Sequence, residues 1–197
     1  MDGFLSTAAV SILTILDINL NRTKEAGTSE MNEYLDPSNA KLRRALFLLG
    51  EGKAEQASSM IDECLAEDSN NAAAHRAKAM IHVRNEAFLD AEKSLFMAIS
   101  SSTQLQYEHS LELGSVYINL DRIPESIRYL DEAIDGMRSA GDEWELGDAL
   151  LLRAFAYYKS QEFEKARADL AVVSEECFYQ GQELWDKKRI LSSMPRS

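Results

Sequence analysis

From Asn39 to Val173 the apolar positions recur three and four residues apart in runs broken by short polar stretches, the pattern of paired amphipathic helices. Small residues punctuate these runs at two fixed phases. Ala57, Ala91, Ser126 and Ala166 follow one another at 34, 35 and 40 residues, and twelve residues before each lies another small residue, Ala45, Ala79, Gly114 or Ala154. A larger side chain stands three before in the later copies (Phe88, Ile123, Phe163; only Ala54 in the first), and an aliphatic one stands four after (Ile61, Leu95, Leu130, Leu170). Such a period predicts stacked helical hairpins whose two helices cross too closely for a long side chain.

The first pair is predicted from Asn39 to Leu49 and from Lys53 to Ala66 around Gly50-Glu51-Gly52, the second from Ala72 to Val83 and from Phe88 to Ile99. In the third pair, Pro124 sits at an early helical position where its missing N–H is harmless, and Gly141 supplies a C-terminal stop. The fourth pair turns at Ser160-Gln161-Glu162. Its six extra residues predict an overlong second helix in copy three and an overlong first helix in copy four. A closing helix is expected from Gln182 to Leu191, covering the apolar face that a last hairpin would otherwise show to water.

Ahead of the repeats, Phe4, Leu5, Ala8, Ile12, Leu13, Ile15 and Leu16 surround a polar stripe of Thr7, Ser11, Thr14 and Asp17, which predicts a helix that something must bury. The domain plan is therefore an N-terminal amphipathic helix (1–20), a polar linker (21–37), a repeat domain (38–174) and a C-terminal cap and tail (175–197). The uncharged stretch from Gly3 to Leu16 is too short to span a bilayer and lacks a basic residue before it, so the reading is of a protein with no membrane role.

Composition narrows function more than fold. A net charge of -12 over 197 residues repels phosphate backbones and favours basic or neutral partners over nucleic acid. Cys64 and Cys177 make neither a disulfide framework nor a metal-ligand spacing, which suits a reducing, cytoplasmic setting. His75 and His82 lie about two turns apart and, with His109, read as packing side chains rather than metal ligands. Gly50-Glu51-Gly52-Lys53 lacks the earlier Gly and the following Ser or Thr of a phosphate loop, and no nucleophile elbow, zinc-protease or dinucleotide motif appears. The expectation is a non-enzymatic protein without a cofactor. Asn21-Arg22-Thr23 would matter as a glycosylation acceptor only in an exported chain.

By residue, the repeats resemble those of the tetratricopeptide repeat (TPR) proteins. Leu113, Gly114 and Tyr117 stand where that family carries its Leu-Gly-x-x-Tyr core, followed by Ser126, Leu130 and Ala133; copy four supplies Ala154, Tyr157, Phe163, Ala166 and Leu170. Copies one and two depart further, with Ala45 and Ala79 at the Gly and Leu48 and His82 at the Tyr. The resemblance implies an all-α solenoid, a right-handed superhelix of about four hairpins with an N-terminal extra helix and a C-terminal capping helix. Its concave face would bind a segment of another protein.

Carried over position by position, the family's inward face implies a partner site at Leu42, Leu46, Leu49, Arg76, Met80, Val83, Arg84, Leu111, Ser115, Ile118, Asn119, Leu151, Phe155, Tyr158 and Lys159, with Glu108 and Asp148 beside them. Leu42, Leu46 and Ala77 occupy places where a carboxylate-clamping member needs basic or amide groups, so a chaperone-tail role is not implied. The implied function is an adaptor or scaffold. The alternative is a dedicated secretion-type chaperone or an immunity-like neutralising protein holding a single basic client.

Overall fold

A computed structural model of the chain describes residues 40–101, 106–141, 145–175, 177–180 and 184–195. The expected helix at 1–20 and the linker at 21–37 lie outside the described residues. The chain divides into two compact units between Thr103 and Gln104. In the first, α1 (Ala40–Gly50) pairs with α2 (Ala54–Glu67) and α3 (Ala72–Arg84) with α4 (Phe88–Ser101). In the second, α5 (Gln106–Asn119) pairs with α6 (Ile123–Ala140) and α7 (Leu146–Lys159) with α8 (Phe163–Leu170). A short antiparallel hairpin, β1 (Phe178–Gln180) with β2 (Leu184–Asp186), and then α9 (Lys187–Ser193) complete it. The architecture is all-α and TPR-like apart from those two strands.

Both small phases are buried where the helices cross. Ala45, Ala57, Ala91, Ser126, Ala154 and Ala166 are wholly buried and Ala79 nearly so. At the α5–α6 crossing, a Cβ added to Gly114 would sit 2.6 Å from Leu130 Cγ, and Ser126 Oγ donates to the Gly114 carbonyl at 2.8 Å. This explains why copy three takes Gly and Ser where the others take Ala: the helices approach until one Cβ is excluded and a hydroxyl reaches the opposite backbone.

The four hairpin turns are closed by one repeated device. Gly52, Glu86, Asp121 and Gln161 all lie in the left-handed region, at φ 77, 57, 56 and 64°. In each copy this residue's N–H donates three residues back and the next N–H five back, as in Gln161 to the Tyr158 carbonyl at 3.1 Å and Glu162 to the Tyr157 carbonyl at 2.8 Å. That is the Schellman arrangement, which usually takes glycine because a Cβ is strained there. Only copy one has it. Gln161→Gly is therefore expected to stabilise the second unit by about 0.5–1 kcal/mol, the relief of left-handed strain exceeding glycine's extra chain entropy. A denaturant melt followed by circular dichroism would show an unchanged or lowered midpoint if the strain is not there.

Of the two overlong helices expected, one exists. The α6 helix runs 18 residues and ends at Gly141 in the left-handed conformation (φ 69°), whereas α7 has 14 residues, the same length as α5. The extra length therefore goes into α6 and the connection before α7. At the C-terminus, the expected closing helix is shorter than predicted and begins only after Asp186, whose carboxylate accepts the Arg189 N–H at 2.7 Å. Leu184–Asp186 is strand, with Trp185 held across from Tyr179. Ile190 is completely buried, so α9 does cover the end of the second core.

Candidate functional site

The fifteen positions assigned to the partner face fall on α1 and α3 in the first unit and on α5 and α7 in the second. In the first unit, Leu42, Leu49, Arg76 and Val83 are buried, and Leu46, Met80 and Arg84 are half-buried. In the second, Leu111, Ser115, Ile118, Leu151 and Phe155 are buried, Asn119 and Tyr158 half-buried, and Lys159 exposed. Leu111 and Leu151, each at most 1 % exposed, are core side chains in this state.

Arg84, Asn119 and Lys159 occupy one phase, the last residue of each first helix, and all three are engaged within the chain. Arg84 Nη1 donates to the Leu49 carbonyl at 2.9 Å, and Lys159 Nζ reaches Asp121 Oδ1 at 2.7 Å. Each links its hairpin to the end of the preceding first helix or its turn, where exposed carbonyls and a carboxylate favour a cation.

Asn119 is different because its partner comes from the C-terminal segment. Its amide donates to the Tyr179 hydroxyl at 3.1 Å and to the Ser115 carbonyl at 2.9 Å. Tyr179 is 5 % exposed; burial pushes its phenol up to about 12, partly opposed by hydrogen bonds to Asn119 and Ser115. Next to it, the Phe155 ring lies 5.5 Å from Tyr179 and 4.8 Å from Trp185, and Tyr158 lies 5.6 Å from Trp185. Tilted rings at these separations attract beyond their buried area. The inner face of α5 and α7 therefore holds the β-hairpin by one aromatic edge. The opposite edge, Phe178 and Leu184, points to solvent.

At the other end of α7, Asp148 lies among buried groups, and that desolvation raises its carboxyl above the ordinary aspartate range while a hydrogen bond from Cys177 opposes the shift. The Cys177 sulfur is close to Gly147, whose added Cβ would meet it at 3.0 Å. This contact anchors the residue just ahead of β1. Periodicity did not reveal the hairpin's role; the available signal was the aromatic and β-favouring run Phe178-Tyr179 and Leu184-Trp185 on either side of Gly181.

The histidines take separate places. His75 Nε2 lies 2.9 Å from the Ser69 carbonyl, His82 is half-buried with its pKa lowered by desolvation, and His109 is buried with Nδ1 3.7 Å from Glu112 Oε2. Among the described residues, no three His, Cys, Asp or Glu side chains gather as a metal site would require. No helix among them is long and apolar enough to cross a membrane.

Hairpin crossings, turn closure and inner-helix faces together define a TPR-like helical repeat protein. Among solved structures, the chain is similar to PilW, described as a widely conserved type IV pilus biogenesis factor, with a TM-score of 0.61 and 24% identity over 69% of this chain and 60% of that one. It therefore spans about three fifths of the PilW chain, and at that identity the likeness is one of fold. It is also similar to YrrB, described as a TPR protein with an unusual peptide-binding site, at 17% identity and a TM-score of 0.43, over 73% of this chain and 90% of that one. No family model matches the chain, and no curated protein matches it significantly.

Proposed function

We propose that the chain is a non-enzymatic adaptor or scaffold that binds a segment of another protein on the inner faces of its hairpins. The observation that carries this reading is the docked β-hairpin: α5 and α7 already grip an extended segment through paired aromatic rings and an amide aimed at a hydroxyl. The same chemistry would hold a partner segment. In the first unit, Leu46 and Met80 offer the half-buried apolar surface, with the half-buried Arg84 one turn beyond Met80 on α3. The net charge of -12 favours a basic or neutral segment over nucleic acid, and it is also what favours the second reading, a chaperone-like or neutralising protein with one basic client. An adaptor joins two proteins at once; such a chaperone holds one.

The test is peptide display on the intact chain. Selected peptides should lose at least tenfold in affinity with Met80→Asp or Tyr158→Asp and be indifferent to Lys93→Ala, on the exposed side of α4. Peptides that ignore both inner-face substitutions, or no enrichment at all, would reject the reading. Leu111→Asp is unsuitable for this purpose, because a carboxylate at a residue 1 % exposed would act on packing first.

A further inference from the structure

We propose that the β1–β2 hairpin is a releasable occupant of the α5–α7 face. A partner would take its place with a segment that carries two aromatic side chains on one edge, one of them a tyrosine. This rests on the segment-binding reading above and specifies its ligand.

The surface beneath the hairpin is assembled without it. Gly114 and Ser126 lock α5 to α6, Ala154 and Ala166 are wholly buried on the paired helices α7 and α8, and Arg153 joins α7 to Asp131 of α6 and Asp169 of α8. None of these contacts involves residues 178–186. The hairpin, by contrast, has three residues in each strand, and an isolated two-stranded hairpin is marginal in water at best. Its order comes from the aromatic edge docked on α5 and α7 and from the bonds of Leu184 and Asp186 to Arg189.

The segment runs between two buried side chains. Val173 is 3 % exposed and Ile190 is buried completely, and between them Ser174, Glu175, Phe178 and Leu184 are exposed. Release would leave Ile190 in the core while giving up what β2 shares with α9, the Asp186 cap on the Arg189 N–H and the bond from Arg189 Nη1 to the Leu184 carbonyl. What the strands would uncover is the recognition chemistry itself: the Phe155 and Tyr158 rings and the Asn119 amide. A tethered occupant also competes at a high effective concentration, on the order of millimolar for a short connection, so a free segment binds weakly until the tethered one is loosened.

The experiment compares the full chain with its Tyr179→Ser/Trp185→Ser variant, using a labelled peptide of residues 178–186 and fluorescence anisotropy. The variant is expected to keep its helical circular dichroism and to bind the peptide at least ten times more tightly than the unsubstituted chain. Loss of the helical signal would make the hairpin part of the fold, and equal binding to both chains would remove the release step; either result overturns the proposal. A display-selected peptide is the second probe. If it binds both chains equally well, release is rejected while segment binding stands; if neither probe binds either chain, both readings fall.

Discussion

Replacing Arg153 with methionine is expected to destabilise the second unit by about 3–5 kcal/mol, the cost of leaving a buried carboxylate without its counter-charge. The guanidinium makes a two-pronged contact with Asp169, Nε to Oδ2 at 2.8 Å and Nη2 to Oδ1 at 2.7 Å, and Nη1 reaches Asp131 Oδ1 at 2.8 Å. Asp169 is 8 % exposed, so its charge cannot be returned to water without opening the α7–α8 crossing. These bonds hold the arginine's pKa above its already high ordinary value, and it stays charged at any workable pH. Denaturant melts of Arg153→Met, Asp169→Leu and the double variant would close the cycle. The double variant should recover most of the loss, because two apolar side chains can pack where one orphaned charge cannot. If Arg153→Met alone costs less than about 1 kcal/mol, the pair is behaving as a surface bridge.

A matched site in the first unit sharpens the contrast. Lys78 and Asp62 stand at the phases of Arg153 and Asp131, and Lys78 Nζ meets Asp62 Oδ1 at 2.7 Å. Their side chains are 36 and 55 % exposed, and no carboxylate corresponding to Asp169 lies beneath, since Ser94 occupies that phase. Lys78→Met should therefore cost under about 1 kcal/mol. The repeat preserves the pairing geometry while burial decides its worth.

The same separation governs what the sequence discloses. Small residues at the crossings were legible because only a few residue types fit there, and Gly141 because only glycine takes a left-handed stop without strain. The turn residues Glu86, Asp121 and Gln161 were not legible as left-handed, since nothing in their chemistry distinguishes them from solvated polar residues. The inner-face positions were identified by phase, but phase says where a side chain starts and not what covers it. Phe155 is buried in part because Tyr179 and Trp185 come from far along the chain. The spacing of Trp185, Ile190 and Leu191 mimics a single helical face, although Trp185 lies on β2 and only the other two on α9. Asp186, which caps α9, carried the information that the helix starts later.

Gly114→Leu is expected to cost about 3 kcal/mol or more, at the upper end of what overpacking a core produces. The reason is in the distances: even a bare Cβ at this position would stand 2.6 Å from Leu130 Cγ and 2.7 Å from Leu130 Cδ2. Leu130 is itself wholly buried, so it cannot swing aside, and moving α5 away from α6 would also break the bond from Ser126 Oγ to the Gly114 carbonyl. Helix propensity pulls the other way, by roughly 1 kcal/mol for losing a mid-helix glycine, and is too small to compensate. Gly50→Leu is the control. It lies at the end of α1 with nothing within 4 Å of its added Cβ, so it should leave stability unchanged within about 0.5 kcal/mol. Equal midpoints for the two variants would mean that the helices do not meet at Gly114, and with that the crossing that sets the repeat would be lost; a deficit confined to Gly114→Leu identifies close approach as the constraint that the 34-residue period encodes.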